Sequence, residues 1–159
     1  VLPKEYQFKG RSKRPAKDPF NAFLNYGYGV LYSTVERALT IAGIDPFVGF
    51  MHRDGYNQPS MVYDFIEPYR VYIEQVVFKL FSAKKVNQSH TDAIRGGVKL
   101  NPAGKSLLTE PLGNYLRSDK VKHSQKHQTR ENVIQNEAIA FAQSLLDQSK
   151  WPFESIMVL

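Results

Sequence analysis

An all-α fold is predicted for this chain by three observations. Apolar residues recur at helical spacing through several segments, cap signals stand ahead of them, and the period-two alternation of strands is nearly absent. With 159 residues, 42% of them hydrophobic and 13% aromatic, the chain is long enough to build a core. No internal repeat is present. The expected organisation is a basic extended arm over residues 1–17, one helical lobe over 18–148 and a short tail over 149–159.

The arm carries Lys4, Lys9, Arg11, Lys13, Arg14 and Lys17 against a single acid, Glu5, and reads as extended and solvated. Asp18-Pro19 then offers an N-cap and a proline at the first helical position, and Gly43 offers a left-handed stop, so one long helix is expected between them. On its wheel Asn21, Asn25, Tyr28 and Tyr32 share a face. Such groups can meet nucleic acid, but for the two tyrosines buried packing is the preferred reading. Asp45-Pro46 repeats the cap signal and predicts a short helical turn ending near His52, ahead of a loop with Gly55.

Pro59-Ser60 opens the next long segment. Ser60, Asp64, Glu67, Val71 and Glu74 form a narrow stripe on it, opposite a side that includes Met61, Phe65, Tyr69, Ile73 and Leu80. Two carboxylates thus project together from a helix anchored by its other face. Pro68 lacks the amide that would bond the carbonyl of Asp64, so the helix should bend or restart beside the pair. Further on, Gly96-Gly97-Val98-Lys99-Leu100 reads as a loop or short strand, and Asn101-Pro102 caps a helix that Pro111 should break. Arg117 to Arg130 holds Arg117, Lys120, Lys122, Lys126 and Arg130, with two histidines, and reads as a mobile basic loop. A last helix is expected from about Thr129 to Gln148, on the spacing of Ile134, Ala138, Ile139, Ala142 and Leu145.

Charge narrows the function. A net charge of +6 and a pI near 9.5 predict an anionic partner, with nucleic acid ahead of a membrane surface because no basic amphipathic helix stands out. The chain has no cysteine, which excludes disulfides and thiolate ligands. It has no run of eighteen apolar residues and no signal-peptide core at its start, so a cytoplasmic location without membrane contact is the expectation. No Gly-rich phosphate loop, Cys-His dyad or Gly-x-Ser-x-Gly elbow is found.

The chemistry-bearing candidates are His52, Asp64 and Glu67. Hard divalent cations prefer oxygen ligands, and one imidazole shifts the preference toward manganese while still allowing magnesium. His52 and Glu67 are therefore the candidate ligands of a site for phosphodiester chemistry. Asp64 stands as a further ligand, a partner that orients His52, or half of a salt bridge. The plain alternative is that all three are ordinary polar side chains facing water. Lys9, Arg11, Lys13, Arg14, Lys17, Lys120, Lys122 and Lys126 are the candidate phosphate contacts. His123 and His127 stand four apart, a spacing that suits a helical zinc pair, but no carboxylate accompanies them in that segment.

Three blocks in order carry a family resemblance: Arg14-Pro15-Ala16-Lys17-Asp18-Pro19-Phe20-Asn21-Ala22-Phe23-Leu24-Asn25-Tyr26-Gly27-Tyr28, Gly43-Ile44-Asp45-Pro46-Phe47-Val48-Gly49-Phe50-Met51-His52, and Pro59-Ser60-Met61-Val62-Tyr63-Asp64-Phe65-Ile66-Glu67. They resemble the CRISPR-associated integrase-endonuclease family Cas-one (Cas1), and the likeness runs from about Phe8 to Asp147. It implies an enzyme of CRISPR adaptation, in antiviral defence, that cuts or joins DNA with Mg2+ or Mn2+, with His52 and Glu67 as metal-binding catalytic residues and Cas-two (Cas2) as partner. A further metal-binding glutamate of the family lies on an earlier helix, upstream of the stretch matched here and preceded by an N-terminal β-rich domain, and neither Glu5 nor Glu36 fits its place. The resemblance thus implies a C-terminal helical lobe, nearly inactive alone. The whole protein would be a homodimer through the absent domain, and a monomer is expected here. The competing function is a non-catalytic module that grips DNA and docks a partner.

Overall fold

Asp18 starts the first helix with its own side chain: its Oδ1 accepts the Asn21 N–H at 2.8 Å, and Pro19 fills a position where no amide is needed. The helix, α1, spans Pro19–Ile41. It stops in a Schellman arrangement, with Ile44 N–H on the Leu39 carbonyl at 3.0 Å and Gly43 N–H on that of Thr40 at 3.1 Å. The computed structural model describes residues 10–49, 51 and 58–147. After α1 come α2 (Ser60–Phe65), a 3₁₀ turn (Glu67–Tyr69) and α3 (Arg70–Ser82). These are followed by β1 (Thr91–Ile94), β2 (Gly97–Leu100), α4 (Pro102–Arg117), β3 (Lys120–His123), β4 (Lys126–Thr129) and α5 (Arg130–Asp147).

The all-α expectation is corrected by two antiparallel hairpins, β1 with β2 and β3 with β4. The second occupies the segment read as a mobile basic loop. Its strands are four residues each and mostly polar, and its two-residue turn is Ser124-Gln125, both at positive φ (46° and 64°). That is the geometry of a type I′ turn made without the Asn-Gly or Asp-Gly that normally announces one. Two smaller expectations also change. Asp45 caps an Asx turn, with Phe47 N–H on its Oδ1 at 2.9 Å, and no helix follows among the described residues to Gly49. Helix α4 continues through Pro111, which sits inside it.

The chain divides into two compact units, Val1–Val30 with Val71–Leu116 and Leu31–Arg70 with Arg117–Leu159. In the first, Phe81 of α3 meets Phe20 and Phe23 of α1 edge-on, at centroid distances of 5.0 and 5.4 Å. Burying each ring is worth about 1.5–3 kcal/mol, and edge geometry adds about 0.5–1.5 kcal/mol per pair. Gly27 lets α1 approach α3 closely, because a Cβ there would strike the Cγ2 methyl of Ile73. In the second unit Phe65 packs between Tyr69, at 5.8 Å, and Phe141 of α5, at 6.0 Å, within a core that also buries Leu31, Val35 and Ile134. The β3–β4 hairpin is fastened to α5 by His123 Nε2 with Glu137 Oε1 at 2.8 Å and by Asn136 Nδ2 donating to Gln128 Oε1 at 2.7 Å.

From Gly10 onward the basic arm is fastened to the fold, while its basic side chains stay exposed. Fully buried Asn21 holds it: Oδ1 accepts from Arg11 Nη1 and Ser12 N–H, both at 2.9 Å, and Nδ2 donates to the Gly10 carbonyl at 3.0 Å. Arg11 Nη2 also donates to Asn25 Oδ1 at 2.6 Å, and its guanidinium lies 5.3 Å from the centroid of Tyr28, whose hydroxyl donates to Glu74 at 2.7 Å. At the far end, Val98 N–H of β2 donates to the Ala16 carbonyl at 2.8 Å and Lys17 Nζ to that of Gly96 at 2.8 Å. Gly97 permits this seam, since a Cβ there would strike the Ala16 carbonyl.

Gly27→Ala sets a helix-propensity gain of about 1 kcal/mol against an overpacking cost of about 1–3 kcal/mol, and a net loss of stability is expected in urea unfolding. Adding Ile73→Leu, which removes the struck methyl, should recover most of it; no recovery would refute the close-approach explanation. Replacing Ser124-Gln125 with Asn-Gly should raise stability by about 1 kcal/mol by relieving two positive-φ residues. An unchanged urea midpoint would count against that strain.

Candidate active site

The helix carrying both acidic candidates is interrupted where Pro68 withholds an amide from the Asp64 carbonyl. Ile66 N–H still reaches Val62 at 3.0 Å, but Tyr69 N–H turns to Ile66 at 2.9 Å, the tighter i to i−3 bond, before α3 restarts at Arg70. The expected break is therefore present, and Asp64 and Glu67 stand on opposite sides of its start.

The two differ sharply in exposure. Asp64 is buried, at 4% exposure, with Ser60 beneath it at 0%. A carboxylate out of water must be hydrogen-bonded, and Asp64 Oδ2 accepts the Met51 N–H at 2.8 Å. Glu67 is exposed and its Oε1 accepts from Arg70 Nη1 at 2.7 Å, an i to i+3 pair. Sequence reasoning passed over Arg70, although the Glu-x-x-Arg spacing was legible. His52 lies outside the described residues. Its chain neighbour Met51 does not, so Asp64 holds the backbone one residue short of the imidazole-bearing position.

Among the described residues no three His, Asp or Glu side chains gather at metal-binding distance. Glu67 offers one oxygen beyond that used by Arg70, a hard donor suited to Mg2+ or Mn2+. The zinc reading of His123 and His127 does not survive. Register pairs His123 with Lys126 and His127 with Lys122, so the two imidazoles occupy opposite faces of the hairpin, and His123 is engaged by Glu137.

The basic candidates separate in the same way. Lys9 lies outside the described residues. Arg11 and Lys17 are spent on the arm's own bonds, while Lys13 and Arg14 are exposed. Lys120 and Lys122 share the hairpin face opposite the one that His123 and Gln128 turn to α5, and Lys126 is exposed beside the turn. The second unit thus presents Lys120 and Lys122 side by side on one hairpin face, with Lys126 on the other. Among the described residues no helix is long and apolar enough to cross a membrane.

Residues 1–113 match the family model described as CRISPR associated protein Cas1. The CRISPR-associated endonuclease Cas1 1 of Thermus thermophilus is 41% identical over 106 residues, covering 66% of this chain and 34% of that protein. Among solved structures, a casposase bound to integration product superposes with a TM-score of 0.87 at 27% identity, covering 99% of this chain and 47% of that one. A Cas6-RT-Cas1–Cas2 complex shares the fold, with a TM-score of 0.80 at 23% identity over 93% of this chain and 16% of that one. The chain spans less than half the length of these proteins. Since the family match covers well over half of the chain's own residues, and both the fold and the three sequence blocks agree with it, the chain belongs to the CRISPR-associated Cas1 family.

Proposed function

We propose that this chain contributes the His52 and Glu67 half of the metal site of a DNA endonuclease-integrase that acts in CRISPR adaptation. The carrying observation is the Asp64 to Met51 hydrogen bond, which ties the segment leading to His52 onto α2, two residues before the 3₁₀ turn that Glu67 opens. A buried carboxylate spent on a main-chain amide fits a positioning role for Asp64. The printed names of the relatives, endonuclease and casposase with integration product, support DNA as substrate, and the Cas1–Cas2 assembly supports Cas2 as partner of the longer protein. A homodimer of that longer protein belongs to the same reading.

His52 and Glu67 would hold Mg2+ or Mn2+, and the ion, when bound, acts as a Lewis acid on a phosphodiester oxygen. The chain's own residues do the rest. Arg70 fixes one oxygen of Glu67 and leaves the other available as the donor that would hold the ion. Asp64 holds the backbone before His52 through its Oδ2. In the second unit Lys120, Lys122 and Lys126 of the hairpin neutralise phosphates of the DNA, and in the first Lys13 and Arg14 of the arm do so. Two protein ligands hold such an ion weakly, because it gives up water reluctantly and relies on several carboxylates or on substrate phosphate. Nearly all activity of the chain by itself is therefore expected to be absent.

Manganese titration by calorimetry, with a short branched DNA present, should show binding that Glu67→Gln abolishes. Asp64→Ala, which deletes the acceptor for Met51, should weaken it about tenfold or more, whereas Asp64→Asn, which keeps an acceptor oxygen, should weaken it less. Equal binding by the unaltered chain and Glu67→Gln would sink the metal assignment. For the hairpin, Lys120→Gln with Lys122→Gln should lower the slope of log affinity against log salt for duplex DNA by about 2. An unaltered slope would remove these lysines from the interface.

A further inference from the structure

In the first unit the arm, α1, β2 and the start of α4 enclose an open cleft of about 690 Å³. Four cations line it, Lys13 and Arg14 from the arm, Lys99 from β2 and Lys105 from α4, and no acidic side chain does. All four are exposed, and none makes an ion pair among the described residues. The nearest counter-charge by register is Asp92, opposite Lys99 in the β1–β2 hairpin. Like charges gathered without partners repel one another, and an arriving anion relieves that repulsion. The cleft is not merely basic. Tyr26 of α1 is half-buried in it, with Lys105 Nζ 5.7 Å from its ring centroid, and Val98 and Leu100, on one face of the hairpin, supply an apolar wall.

A site with an aromatic face, an apolar wall and four cations suits a ligand that is flat and apolar at one end and multiply anionic at the other. We propose that the cleft binds a nucleotide, its base against Tyr26 and the Val98 wall and its phosphates among Lys13, Arg14, Lys99 and Lys105. Base stacking on an aromatic ring works for any base. Duplex DNA cannot use the site, because its base faces are covered by their neighbours in the stack. The nucleotide is either a unit of a single strand or a free mononucleotide. In the first case the proposal extends the DNA reading above, naming where an unpaired stretch is held; in the second it stands apart from it.

Two fluorescent probes separate the sources: an oligo(dT) 8-mer with one central 2-aminopurine, and 2-aminopurine deoxyribonucleoside triphosphate. Binding of the 8-mer to the 159-residue chain at low salt should quench 2-aminopurine through stacking. Lys99→Ala with Lys105→Ala, both at exposed positions, should weaken binding about tenfold and lower the salt slope by about 1.4. Tyr26→Leu should remove the quench and Tyr26→Phe should keep it, which separates loss of stacking from loss of fold. The same residue dependence with the triphosphate identifies free nucleotide as a ligand; dependence with the 8-mer alone identifies the strand. Failure of both probes to bind, or binding indifferent to Lys99, Lys105 and Tyr26, overturns the proposal. The quench is read without added metal and the Glu67→Gln test is read by manganese calorimetry, so the cleft and the metal site fail separately.

Discussion

One absent hydrogen atom organises the candidate active site. Pro68 has no N–H for the carbonyl of Asp64, and the chain answers by tightening through Glu67–Tyr69 before resuming as α3. Upstream of that break the polar stripe turns inward, so that Ser60 and Asp64 are buried among Met61, Val62 and Phe65. Downstream, Glu67 opens to solvent with Arg70 as its brace. Two carboxylates three residues apart therefore serve different purposes: one is a structural acceptor, the other an accessible donor. An unbroken helix would have kept them within about 60° on one face, at 100° per residue.

The arm repeats this lesson with cations. Six basic residues before Asp18 look alike on paper, yet Arg11 is consumed by two asparagines and a tyrosine, and Lys17 by the Gly96 carbonyl. The organiser is Asn21, which carries both a donor and an acceptor and so reads Gly10, Arg11 and Ser12 at once. Fixing the arm along α1 and β2 is what leaves Lys13 and Arg14 beside Lys99 and Lys105. Net charge alone conceals which cations are committed to the fold and which face outward.

Much of the helical fold was legible because its signals are local. Asp18-Pro19, Gly43, Pro59-Ser60 and Pro68 each act within a few residues, and each marks a helix boundary or break at its place. The hairpins were harder. Four-residue polar strands carry no core-facing alternation, and Ser124-Gln125 makes its turn without glycine, held by the bonds of His123 and Gln128 to α5. Those are tertiary contacts, absent from any window of sequence. In the site, Glu67 was readable as an exposed carboxylate, whereas the inward turn of Asp64 depends on Met51, thirteen residues back, and on a break whose rotation a helical wheel does not carry.

The bond between Asp64 and residue 51 also determines how such a protein can drift. Its donor is main chain, and the Met51 side chain is 64% exposed. Nineteen of the twenty residue types bring the same N–H to that place, proline alone lacking it. Position 64 is thus chemically constrained while its partner position is free in everything but one residue. Such a pair leaves almost no trace of correlated substitution in a lineage, although it couples two segments next to the candidate chemistry. Searches that look for coupled side chains would pass over it, and only the folded backbone discloses it.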